Sequence, residues 1–357
     1  MSDFLKLYEE GERFIEYLPY LFEENGLFLL ADGSLGMIWE VKLREAEFKG
    51  DATLEKISTE FETLLKRLPE KICYQFILVS TPLVEDQFER YLNYKEDKPV
   101  GLSQKAVEEK INYYKTNSKS LIKEGATTYV LRKFKLYFTA KLESKKVSSQ
   151  QYLEMKSTLL RSQSVIEKLF EEAHLPLTKL YADQLISILT FMFNPDRDIK
   201  PHYNPEEEIR NQILFTPLFF EDDGLLFDRT KATVISLKSL PLHTYPGMLT
   251  LFYNKPPIVD IADRFFITCN FYIDDQPREL GRIKTKNTFA FLHRFNLFGG
   301  KSIESEVIQR ETEKTIEKIY AEGKKIINAS IHFVVYHDKD SHILVEEVLN
   351  AMHFLGF

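Results

Sequence analysis

The sequence predicts an α+β fold: two α/β modules of β-hairpin, strand and helix units, with antiparallel or mixed sheets and a helical insert between them. Three observations predict it. Short apolar or alternating runs bounded by Gly, Pro, Asn and Asp recur along the chain, the usual strand signal. Charged segments with apolar residues at helical spacing lie between them. A hairpin wording near the N-terminus also returns about 200 residues later. The chain has 357 residues, more than one ordinary core holds, which fits two modules. Its 44% apolar and 13% aromatic content supplies core material and excludes a disordered chain.

Taken in order, residues 3–17 read as a short amphipathic helix before Pro19. Asn25-Gly26 supplies two residues that accept φ > 0, as a two-residue hairpin turn requires. The strand Leu27–Leu30, an Asp32-Gly33 turn and the strand Leu35–Leu43 follow. Leu54, Ile57, Phe61 and Leu64 put one apolar face on a helix over 51–67, which Pro69 ends. Ile72–Val79 reads as a buried strand and 83–92 as the start of a helix. Residues 93–125 are polar and helical, and Tyr129–Thr139 alternates as a strand. Ser148–Ser149 cap a helix over 150–173, and residues 177–193 form a second, strongly apolar helix ending at Asn194-Pro195. Residues 194–210, with three prolines and many charges, read as the linker.

Beyond it the first half is echoed. Pro217–Leu225 matches Pro19–Leu27 at six of nine positions, identical or chemically equivalent, with Asp223-Gly224 in place of Asn25-Gly26. Strands over 232–240, 265–273 and 331–336 and helices over 303–324 and 341–354 complete a second module. The division expected is 1–205, holding a helical insert over about 93–193, and 206–357. So long a period excludes a solenoid.

Composition also bounds function. Cys73 and Cys269 each sit in an apolar run, as buried hydrophobes of a reducing compartment do. A net charge of −7 gives no global nucleic-acid footprint. The N-terminus is acidic, without the features of a signal peptide, and no stretch approaches a membrane span. A cytoplasmic or cytoplasm-facing chain is expected.

Motifs for chemistry are sparse. Gly299-Gly300-Lys301-Ser302 opens a helix, but G-x-x-x-x-G-K-[ST] needs glycine where Phe295 stands. His332, His337 and His342 alternate faces on a strand, which defeats metal convergence. Neither Glu206–Glu208 nor Glu221–Asp223 has calcium-loop spacing, and no nucleophile motif occurs. No catalytic, metal or cofactor residue is therefore assigned. The one charge anomaly is residues 115–146, with Lys115, Lys119, Lys123, Arg132, Lys133, Lys135, Lys141, Lys145 and Lys146 against Glu124 and Glu143. Three readings stand: an edge strand guarded by lysines, a docking surface for acidic lipid headgroups or an acidic protein patch, or nucleic acid.

Several words, in order, carry a resemblance. They are Leu18-Pro19-Tyr20 before Leu27–Leu30 and Asp32-Gly33-Ser34-Leu35-Gly36, Leu68-Pro69 before Gln75–Val79, Leu185–Phe193 before Asn194-Pro195, and 233–237 before Leu240-Pro241. Together they resemble the N-terminal half of the TraC-type conjugative-transfer ATPases of bacterial type IV secretion systems. The resemblance covers nearly the whole chain. It implies an ATPase domain after this half, with ATP and Mg bound there, and none of that domain's motifs can be placed on this sequence. It further implies self-association, contact with inner-membrane subunits, and a peripheral position on that membrane. The expected role is docking and assembly without hydrolysis, with 115–146 and the outer faces of helices 150–173 and 303–324 as candidate surfaces. The alternatives are a nucleotide-binding enzyme using Gly299–Ser302 and an unrelated two-module scaffold.

Overall fold

Asn25 and Gly26 take φ of 56° and 77°, the two left-handed residues a tight hairpin turn requires. The computed structural model describes residues 14–43, 50–82, 88, 101–117, 122–124, 127–129, 131–144, 148–238, 259, 261, 263–294 and 303–355. The first half runs α1 (Phe14–Tyr17), β1 (Tyr20–Glu24), β2 (Leu27–Leu30), β3 (Leu35–Val41), α2 (Asp51–Arg67), β4 (Ile72–Thr81), α3 (Gly101–Asn117), β5 (Ile122–Glu124), β6 (Thr127–Tyr129), β7 (Lys133–Leu142) and α4 (Ser149–Glu172). Then come β8 (Leu177–Lys179), α5 (Ala182–Phe193) and a 3-10 turn (Ile209–Gln212). The second half runs β9 (Phe219–Glu221), β10 (Gly224–Leu226), β11 (Thr230–Ser236), β12 (Phe265–Ile273), α6 (Gln276–Arg294), α7 (Ile303–Glu322), β13 (Asn328–Asp338) and α8 (Ile343–Phe354).

Ten strands follow the order β1-β2-β3-β7-β4-β12-β13-β11-β10-β9, and β8 pairs with β3 off that path. Every pairing in this eleven-stranded sheet is antiparallel, so the fold is α+β. The order reads alike from both ends: β1, β2, β3, β7 and β4 answer to β9, β10, β11, β13 and β12. At the centre Ile72 faces Ile273 and Ser80 faces Phe265. Placing Ile72 on Phe265 and Ser80 on Ile273 carries that register onto itself, which is the property of a two-fold joint. The sequence echo thus begins two structural repeats that share one continuous sheet.

Side chains alternate between the two faces along each strand. On one face Trp39, Tyr74, Phe138, Phe271 and Phe170 form a buried aromatic core with Leu64 of α2 and Leu159, Ile166 and Leu169 of α4. Phe138 and Phe170 ring centres are 4.6 Å apart. Phe265, Phe333 and Val335 pack on Val348, Ala351 and Met352 of α8 in a separate cluster. On the opposite face Leu185, Ile186 and Leu189 of α5 meet Ile38, Tyr137 and Val79 from the first repeat and Phe266 and Tyr336 from the second. Helix α5 therefore binds the two repeats together. The sheet curls around it: Phe14, beside edge strand β1, lies 5.6 Å from Phe220 of edge strand β9.

Four local readings are corrected. The apolar run 177–193 splits, because Leu177–Lys179 pair with β3 before α5 begins. The strand read over Tyr129–Thr139 is two strands, β6 and β7. Residues 194–210 are no loose linker: Asn194 is 1% exposed, donating to Thr190 O and Ile213 O and accepting from Phe215 N and Thr216 Oγ1. Helix α6 went unread, since its apolar residues are few between Arg278, Arg282, Lys284 and Lys286. Apart from Phe88, which is helical, the helix expected over 83–92 lies outside the described residues, as does most of that over 3–17.

Candidate docking surface

Strand β7 carries the core of the basic stretch, and it lies inside the sheet between β3 and β4. The edge-strand reading is therefore wrong. Its alternation holds: Phe138 and Ala140 are buried on one face, while Lys133, Lys135 and Lys141 share the other with Tyr137 and Thr139. The lysines are partly neutralised there. Lys141 Nζ lies 2.9 Å from Asp32 Oδ2 and 3.8 Å from Glu143, and Lys135 Nζ lies 3.5 Å from Glu40 Oε2. Burial works against the Asp32 carboxylate. Hydrogen bonds from Lys141 and from Ser34 outweigh it and hold Asp32 below the usual carboxylate range.

Arg132 is turned to structural use. Its guanidinium donates to Ser80 Oγ (3.0 Å) and Asp263 O (2.9 Å), sits 5.2 Å from the Phe265 ring centre, and is lowered by burial to about 10. Lys133 is half-buried and Lys115 is exposed on α3. Lys123 lies on β5 by its backbone, and Lys119, Lys145 and Lys146 lie outside the described residues. The cations whose side chains are described thus sit in several environments.

A neighbouring arginine was not singled out by sequence reasoning. Arg264 is 9% exposed and donates to Phe191 O (2.7 Å) and Pro195 O (3.2 Å) at the end of α5. Its charge meets carbonyls at the negative end of a helix, and it stacks 4.1 Å from the Phe191 ring centre. No single-residue motif announces such a clamp.

Among the described residues, α5 covers one end of its face of the sheet. At the other end a shallow pocket of ≈ 470 Å³ is lined by Cys73, Gln75, Thr139, Lys141, Asn270 and Tyr272, among others. A polar ladder crosses four strands there. Gln75 Nε2 donates to Asn270 Oδ1 (2.7 Å), Asn270 Nδ2 to Ser330 Oγ (3.5 Å), and His332 joins Ser330 Oγ (3.1 Å) to Ser236 Oγ (2.8 Å). His337 instead faces the opposite side, bound to Thr233 Oγ1 (2.9 Å). The His337 and His342 ring centres are 6.1 Å apart while His332 lies on the other face, and among the described residues no group of His, Cys, Asp or Glu is arranged to hold a metal. Cys73 and Cys269 are free thiols on adjacent strands, opposite Tyr272 and Phe76 respectively. Gly299–Ser302 lies outside the described residues.

Of the helix faces singled out, α4 exposes Leu153 (64%), Leu160 and Val165, and α7 exposes Tyr320 (64%) and Val307. Among the described residues no helix is long and apolar enough to cross a membrane.

An eleven-stranded antiparallel sheet built from two repeats and flanked by helices defines an α+β class of protein. The family model described as TraC protein matches residues 14–341, and the chain belongs to that family, a component of conjugative transfer and type IV secretion. No curated protein matches the chain.

Proposed function

We propose that this chain is the docking and assembly part of a conjugative-transfer motor, peripheral on the cytoplasmic side of a bacterial inner membrane, where it contacts inner-membrane subunits and supports self-association. ATP hydrolysis, with ATP and Mg, belongs to a separate motor domain. One observation carries this reading. The span matched by the family runs from α1 through the last strand, so what the family shares here is the sheet itself. The sequence over that span holds no G-x-x-x-x-G-K-[ST] loop.

The test is reconstitution with the inner-membrane subunits of the same transfer system. The chain is expected to co-purify with them in detergent and to turn over no ATP alone. Failure to associate with any of them, or saturable ATP binding lost on Lys301→Ala, would overturn the reading.

A further inference from the structure

The two outer strands of the sheet begin the two repeats, and among the described residues they are covered to different degrees. β1 has a register break between Tyr20 and Phe22, an ion pair from Glu24 to Lys156, and the 3-10 turn packed beside it. Bulges, charges and covering segments are the usual means of blunting an edge. β9 has a regular register with β10, and its three residues are all exposed, Phe219 at 40% and Phe220 at 59%. Among the described residues nothing pairs with its outer side. A strand so placed directs alternate backbone N–H and C=O groups outward.

The bare edge continues into an aromatic patch. Tyr17 is 58% exposed with its ring centre 6.0 Å from that of Phe220, and half-buried Phe14 is also in contact with Phe220. The end of the strand is acidic: Glu221, Asp222 and Asp223. Lys231, nearly buried, engages Glu221 (2.7 Å) and Asp223. Asp222 has no ion pair with a described residue.

We propose that β9 is an interaction surface for an extended segment of a partner protein, apolar at alternate positions and bearing Lys or Arg at the end that meets Asp222. The segment adds a strand beside β9. Backbone hydrogen bonds supply affinity, the Phe220–Tyr17 patch takes an apolar side chain, and the acidic end sets the sign of the partner's charge. An anionic lipid surface fits poorly, because that end repels it. The inference gives the docking role proposed above a partner chemistry and rests on that reading for its setting.

The test uses the full chain and a synthetic strand peptide, Lys-Lys followed by alternating Val and Thr, beside a Glu-Glu counterpart. The lysine peptide is expected to bind about tenfold tighter than the glutamate peptide and to slow amide exchange at 219–221. Phe220→Asn should weaken it, and Asp222→Lys should invert the charge preference. Both positions are exposed, so the fold is retained. Equal binding of the two peptides, protection at β1 instead of β9, or adhesion to anionic vesicles lost on Phe220→Asn would overturn the proposal. Peptide capture at β9 by a chain that ignores the inner-membrane subunits would support the edge and remove the docking role. Unchanged subunit binding by Phe220→Asn and Asp222→Lys, with no peptide protection, would keep the role and remove the edge.

Discussion

Asn194 uses both amide hydrogens and its oxygen from a buried position, tying the end of α5 to residues 213–216. Removing the amide leaves Ile213 O and Phe215 N short of partners, while Thr190 O keeps its bond from the backbone N–H of residue 194. Asn194→Ala should therefore cost roughly 2–4 kcal/mol, since each orphaned buried group costs about 1–3 kcal/mol, read by urea unfolding. Asp196 makes a similar tie by accepting from Arg229 N (2.9 Å), Thr230 N (3.2 Å) and Thr230 Oγ1 (2.7 Å). Burial works to raise its pKa, but these hydrogen bonds prevail and the carboxyl lies below its ordinary value. A depressed folded value means stability present above the unfolded pKa, about 4, and lost as pH falls through the folded one. Denaturant titrations below about pH 4 should show a steeper loss in the native chain than in Asp196→Asn. Equal slopes would deny Asp196 this role. Neither tie was legible in the sequence, where Asn194-Pro195 and Asp196 read as helix end and linker polarity. Their partners lie up to 34 positions away, and composition does not report such distances.

Elements with local causes were read well. Asn25-Gly26 announced its turn, and Ser148 announced a helix start that the structure completes as a capping box with Gln151. The echoed turn shows the limit of that reading. Asp223-Gly224 aligns with Asn25-Gly26, but Asp222 and Asp223 form the turn and Gly224 is already strand, facing Glu221. The glycine is required for a different reason: a Cβ there would collide with Ala232 O. Gly224→Ala should loosen the β9–β10 hairpin and speed amide exchange at 219–226, leaving exchange in β4 unchanged. Gly26→Ala meets both a φ of +77° and the Lys179 side chain, so it should destabilise by about 1 kcal/mol or more. Strand β7 was legible as alternating but not as central, because a strand's neighbours are chosen by pairing across the sheet. Phe138, fully buried against Trp39, Tyr74, Phe76 and Phe170, marks that position. Phe138→Ala should cost about 3–5 kcal/mol, measured by the same unfolding curves.

At the scale of the molecule, the echo between 19–27 and 217–225 pointed to two units, and the structure joins them by nine facing residue pairs between β4 and β12. What the sequence lacked was any sign of that joint, since both strands read as ordinary buried runs. Helix α5 and Arg264 reinforce it, the arginine reaching from the start of β12 to Phe191 and Pro195. Nearly all of the shared face between the repeats is therefore hydrogen-bonded strand or apolar core, while Pro205, Glu206 and Glu207 in the connection are exposed. A chain nicked at those residues should stay one particle, both fragments eluting together by size exclusion and melting in a single transition. A continuous sheet leaves neither half a complete core once the other departs. If the fragments instead separated without denaturant, each keeping its own sharp transition, the repeats would be independent domains, and the β4–β12 joint would be a contact rather than the spine of the fold.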